Sequence, residues 1–109
     1  MRLAQVTLTV VDAMRANPQD KRKTAVALAA AELVPDGVTS VDHGDSLSYV
    51  FPGGRKMLVW HPEDIRDQIA GFYRGRASAH PVTFGLLVPT EVDVEAARAS
   101  VQETVEAAA

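Results

Sequence analysis

The stretch Leu47-Ser48-Tyr49-Val50-Phe51-Pro52-Gly53-Gly54-Arg55-Lys56-Met57-Leu58-Val59-Trp60 organises the whole chain. Two apolar-aromatic runs flank Pro-Gly-Gly, a strong β-hairpin signal. A two-residue Gly53-Gly54 loop pairs Phe51 with Lys56, and so does a four-residue loop from Pro52 to Arg55. Either choice sets Leu47 opposite Trp60 and Tyr49 opposite Leu58. It therefore predicts that Leu47, Tyr49, Leu58 and Trp60 share one face. A three-residue loop would shift the register by one and break that face, because side chains alternate along a strand.

Working outward from the hairpin, Val38 to Asp42 reads as a short strand and His43-Gly44-Asp45 as a turn, giving a three-stranded meander. Pro62-Glu63-Asp64 starts a helix with acidic residues in its positive first turn. Ile65, Ile69, Phe72 and Tyr73 supply its apolar stripe, and Gly75 closes it. Arg76 to Pro81 reads as a loop, with His80 as part of that loop. Val82 to Val88 is a nearly continuous apolar run and predicts a central strand buried on both faces. Thr90 and Asp93 have capping-box spacing ahead of a C-terminal helix.

On the other side, Asn17 as cap, Pro18 and Asp20 predict a helix that begins there and runs through the Ala-rich segment to Leu33. Val34-Pro35-Asp36-Gly37 ends it. Residues 3–15 support two readings. Val6, Leu8 and Val10 alternate with Thr7 and Thr9, as in a strand. Leu3, Val6, Val10, Ala13 and Met14 lie at helical spacing, and the helix is the preferred reading.

The expected fold is one α+β domain over residues 1–109. It has a three- to four-stranded, mostly antiparallel sheet built on the central hairpin 46–61 and packed with three to four helices. With a strand at 5–11, the element order would contain a ferredoxin-like βαββαβ core.

Composition narrows the function classes. The chain has 109 residues, 47% hydrophobic and 23% charged, with a formal net charge of -3. These values are those of a globular protein, not a disordered one, and give no global attraction to nucleic acid. The absence of cysteine removes disulfides and thiolate chemistry and fits a cytoplasmic setting. No apolar run is long enough to span a bilayer, and the first residues lack a signal-peptide pattern. The bias toward Ala, Val, Arg and Asp over Asn, Ile and Lys suggests a GC-rich genome, and a small accessory protein of a bacterium or phage is the expected setting.

Three groups of residues are candidates for function. His43, Asp45, His61 and Asp64, with Asp42 and Glu63 nearby, converge on the open end of the hairpin if Ser46 pairs with His61. Two imidazoles with carboxylates suit a divalent metal or acid–base chemistry, although the spacing matches no standard ligand motif. The same residues also serve as turn formers and helix-dipole partners. Lys21, Arg22 and Lys23, expected in the first turns of a helix, and Arg55 and Lys56 at the hairpin tip are candidate phosphate contacts. A helix pair followed by a basic-tipped hairpin would suit a winged helix, but the third helix expected before a wing is missing. Arg74 and Arg76 would add to such a patch only if the fold brings them close. Val94, Ala97, Val101 and Val105 form a thin stripe that suits a partner surface.

No Gly-rich phosphate loop or nucleophile elbow is present, and no cofactor is expected. The function expected from these features is a non-enzymatic protein-interaction or assembly module that self-associates. Its partner is a second copy or another protein, and no membrane is involved. A small DNA-binding regulator is the alternative, and an enzyme using His43 and His61 comes third.

Overall fold

The computed structural model describes residues 1–73 and 81–108, with side chains as far as residue 99 in the last helix. The elements run β1 (Arg2–Leu8), α1 (Val10–Arg15), α2 (Ala25–Ala31), β2 (Thr39–Asp42), β3 (Ser46–Val50), β4 (Lys56–Trp60), α3 (Glu63–Gly71), β5 (Val82–Val88) and α4 (Glu91–Ala108). The fold is α+β, with helices packed on antiparallel strands. The strands form two sheets: β1 pairs with β5, and β2-β3-β4 make a three-stranded meander. The element order is βααβββαβα, with two helices after β1 and three consecutive strands before α3, and the strands are hydrogen-bonded as two sheets.

The preferred helix over residues 3–15 is corrected. Both signals in that stretch were real, and they belong to consecutive elements. Ala4, Val6 and Leu8 face the core from β1, while Leu3, Gln5 and Thr7 face out. The break comes at Thr9, whose N–H and Oγ1–H both donate to Asp12 Oδ2, at 2.6 and 3.0 Å. Thr90 and Asp93 repeat this contact at the start of α4, at 2.7 and 3.1 Å. The Met1 ammonium also reaches Asp93, at 2.8 Å. That bond, followed by the one from the Thr90 N–H, holds the Asp93 carboxyl below the usual carboxylate range.

The hairpin register differs by one residue from the expected one. Val50 pairs with Lys56, Tyr49 with Met57, Leu47 with Val59 and Ser46 with Trp60. The loop has three residues, Pro52 to Gly54. The Phe51 N–H donates to Arg55 O at 2.8 Å, and the Gly54 N–H donates back to Phe51 O at 2.9 Å. Pro52 followed by Gly53 at φ +95° is the chemistry of a type II turn, with proline second and glycine third. Gly54, at φ +94°, is then left over as the extra loop residue. Leu47 and Tyr49 are therefore backed by Met57 and Val59, while Leu58 and Trp60 are turned outward.

The core collects Leu8, Val26, Leu47, Tyr49, Leu86 and Val88, all essentially inaccessible to solvent. Tyr49 links the two sheets: its hydroxyl donates to Leu87 O in β5 at 2.7 Å, and burial raises its pKa. β5 lies at the margin of a two-stranded sheet, and only one of its faces is buried. Phe84, Leu86 and Val88 point in, and Leu87 is exposed. The expectation of a strand buried on both faces is corrected accordingly. Val94 and Ala97 of α4 belong to this core. Val101 and Val105 lie outside the described side chains, and Arg74, Gly75, Arg76 and His80 lie outside the described residues.

Candidate functional site

The predicted helix from Asn17 onward is also corrected. Residues 17–23 form a hydrogen-bonded loop, and α2 starts only at Thr24 as N-cap. Asn17 and Asp20 direct the loop: Asn17 Oδ1 accepts from the Gln19 N–H at 3.1 Å, and Asp20 Oδ1 from the Arg22 N–H at 2.9 Å. Such side chains compete with helix formation by offering the backbone local partners. The basic run Lys21-Arg22-Lys23 is thus an exposed loop and does not oppose a helix dipole.

This loop reaches the meander at Asp42, whose N–H donates to Lys21 O at 2.8 Å. Asp42 is 5% exposed. Its Oδ2 accepts from Thr24 Oγ1 at 2.7 Å and from the Tyr73 hydroxyl at 3.0 Å, and its Oδ1 accepts from the Gly44 N–H at 2.7 Å. The two hydroxyls also cap α2. Thr24 Oγ1 accepts from the Ala27 N–H at 3.2 Å, and the Tyr73 oxygen accepts from the Val26 N–H at 3.3 Å. Two orphan donors of the helix are thereby satisfied through groups that in turn solvate a buried carboxylate. The Tyr73 ring is exposed, but its hydroxyl is enclosed, and desolvation pushes its pKa up to about 12.

Next to this network opens a cleft of about 590 Å³. Its walls are apolar, with Val10 and Ala13 from α1, Ala25 from α2 and Phe72 from the end of α3, and Asp42, Thr24, Tyr73 and Lys21 supply the polar positions. Phe72 and Tyr73 stand edge to face, with centroids 5.7 Å apart. They pack where the winding of α3 widens in its last turn. Sequence reading missed Thr24 and Tyr73 as site residues.

The histidine and carboxylate group is not brought together as one cluster. His43 Nε2 bonds to Ser48 Oγ at 2.7 Å and is exposed. His61 continues the inward series of Met57 and Val59 and is 7% exposed. Ser46 pairs with Trp60, not with His61. The chain still returns to Asp45, whose backbone O accepts from the His61 N–H at 3.0 Å. Asp45 and Asp64 are exposed, with Asp64 in the first turn of α3. Among the described residues, no group of three or more His, Asp or Glu is arranged to hold a metal ion.

His61 Nε2 is buried without a hydrogen-bond partner among the described residues. Desolvation lowers its pKa, opposed by the nearby Asp42 and Asp45 charges and helped by Arg66. Below its ordinary value of 6.5, the unfolded chain takes up a proton that the folded chain resists. Stability therefore falls as pH drops through that value toward the folded pKa. Comparing urea midpoints at about pH 7.5 and about pH 5.5 checks this. The drop is expected to shrink in His61→Gln, and an equal drop in both proteins would refute it.

The two basic clusters lie apart. Lys21 sits beside Asp42, at the end of β2 that pairs with Leu47. Arg55 and Lys56 sit at the hairpin tip, beside Val50. The length of the meander separates them.

The outer face of the meander carries Val41 from β2, Ser46, Ser48 and Val50 from β3, and Lys56, Leu58 and Trp60 from β4. Trp60 is 63% exposed and Leu58 49%. No protein-family model matches the chain, and no curated protein or solved structure is significantly similar to it. No helix among the described residues is long and apolar enough to cross a membrane.

Proposed function

We propose that this protein is a non-enzymatic interaction module that self-associates through the outer face of its three-stranded sheet. The observation that carries this reading is the exposed Trp60–Leu58 pair. Tryptophan is rarely left in water on a flat strand surface, and it dominates the centres of protein interfaces. Around the pair lie Val41, Val50 and Ser48, with His43 bonded to Ser48 Oγ beside them, and Lys56 sits at the tip end of the face. An apolar, charge-free centre with polar edges is the composition of an interface core. A two-fold axis would set the same patch against itself, placing each Trp60 on apolar side chains without opposing like charges.

Size limits the affinity. Three strands of about five residues span roughly 14 by 17 Å. That is well short of the ~800 Å² per partner typical of stable complexes. Association is therefore expected to be weak and concentration-dependent. Sedimentation equilibrium from about 1 µM to about 1 mM should show a dimer growing in, and Trp60→Lys should stay monomeric throughout with an unchanged unfolding midpoint. A wild-type protein that remains monomeric across this range overturns the reading.

A second reading, nucleic-acid binding, draws on three consecutive exposed cations, Lys21, Arg22 and Lys23, on a structured loop. Duplex DNA binding that weakens steeply with salt and is lost on replacing these three residues would favour it.

A further inference from the structure

We propose that the cleft beside Asp42 binds a small organic cation, an ammonium group on an aromatic or branched apolar body. The proposal is independent of the sheet-face reading, because it uses the opposite side of the meander.

The charge argument comes first. A carboxylate offers about four lone-pair positions. At Asp42 three are occupied, and every donor is neutral: two hydroxyls and one backbone N–H. Among the described residues no cation lies within ion-pair distance of it. Within the described residues this buried charge meets neutral donors, which offset only part of the cost of burying it, and His61 lies near enough to feel the charge. One acceptor position on Oδ1 is left, and Asp42 lines the cleft.

Shape and wall chemistry then select the rest of the ligand. A volume of about 590 Å³ falls within the range of small-molecule sites. Val10, Ala13, Ala25 and Phe72 offer apolar contact to a carbon body, and the edge-to-face pair Phe72–Tyr73 places two aromatic rings in the same lining. An anionic ligand would meet the Asp42 charge in a low-dielectric wall. Lys21, on an exposed position of the same lining, is the natural competitor for Asp42 and not a partner for the ligand.

The test is an amide-resolved NMR titration of the intact protein at neutral pH with three probes of one shape: phenethylammonium, 2-phenylethanol and 3-phenylpropionate. Phenethylammonium is expected to shift the Thr24, Ala25 and Gly44 resonances saturably, with a Kd near 1 mM, about tenfold tighter than either other probe. Lys21→Gln should tighten binding several-fold by removing the competitor. Asp42→Asn should abolish the preference for the cation. Because that variant also weakens the fold, Ala13→Trp provides the second check. Ala13 is exposed on α1, and a bulky side chain there fills the cleft while leaving Asp42 in place. Equal affinity for the ammonium and the alcohol, binding unaffected by Ala13→Trp, or no saturable shift at about 20 mM would each overturn the proposal.

Discussion

Asp42→Ala is expected to lower the free energy of unfolding by about 3–5 kcal/mol, enough to unfold a marginally stable domain of this size. The substitution leaves the Thr24 hydroxyl, the Tyr73 hydroxyl and the Gly44 N–H without their acceptor, at 2.7, 3.0 and 2.7 Å in the intact protein. Each is a hydrogen bond to a charged group, and an abandoned buried donor carries its full desolvation penalty. The loss also spreads, because Thr24 and Tyr73 position the acceptors that cap α2. Asp42→Asn keeps one carbonyl acceptor and should cost less, about 1–3 kcal/mol. Tyr73→Phe removes one donor and the cap on Val26, and should cost about 1–2 kcal/mol. Urea unfolding followed by far-ultraviolet circular dichroism gives all three values. In a double-mutant cycle, Asp42 and Tyr73 should be coupled by more than about 0.5 kcal/mol. A loss below about 1 kcal/mol for Asp42→Ala would mean that water replaces the carboxylate and that the network is peripheral to the fold.

Deleting Gly54 is the second change with a large expected effect. The remaining loop would be Pro52-Gly53, two residues long. Two-residue hairpins need positive φ at their first central position, and proline is locked near -65°. The chain must then either open the tip or slide the strands by one residue. Sliding moves Met57 and Val59 out of the core and drives Leu58 and Trp60 into space shaped for smaller groups. Either outcome should cost about 3 kcal/mol or more and broaden the unfolding transition. Gly54→Ala, which keeps the loop length but strains a residue at φ +94°, should cost only about 1–2 kcal/mol. If the deletion were no worse than the substitution, loop length would not be what sets the register.

The register shows where sequence reasoning loses resolution. The Pro-Gly-Gly tip announces a hairpin in any reading, and the arms fall within a residue of their expected bounds. Loop length, however, depends on whether Pro52-Gly53 acts as a type II turn or Gly53-Gly54 as a tight two-residue turn, and the glycine pair announces the second as readily as Pro-Gly announces the first. A single-residue difference exchanged the two faces of β4 and put Trp60 on the face opposite Leu47 and Tyr49, where it meets solvent. The signal that breaks the tie is Pro52, which suits the second position of a type II turn and no position of a tight two-residue hairpin.

A similar local signal was present at the N-terminus. Thr9 and Asp12 have the same spacing as Thr90 and Asp93, and they mark the point where the strand stops and the helix starts. With that boundary, the competing periodicities of residues 3–15 stop competing. At residues 17–23 the cap-forming residues Asn17 and Asp20 were legible. Whether they open a helix or close a loop was not, because both use the same side-chain-to-backbone bonds.

The chain by itself determined the α+β class, the central hairpin, the cap of α4 and the apolar stripe of α3. All of these rest on residues within a few positions of one another, where propensity and periodicity operate. Tertiary structure alone decided that Asp42, Thr24 and Tyr73 meet, because they lie 18 and 31 positions apart and nothing in local sequence distinguishes a turn aspartate from a buried one. It likewise decided that His43 and His61 part company and that Trp60 faces water. Those outcomes depend on how whole elements pack, and a shift of one residue in pairing changes them completely.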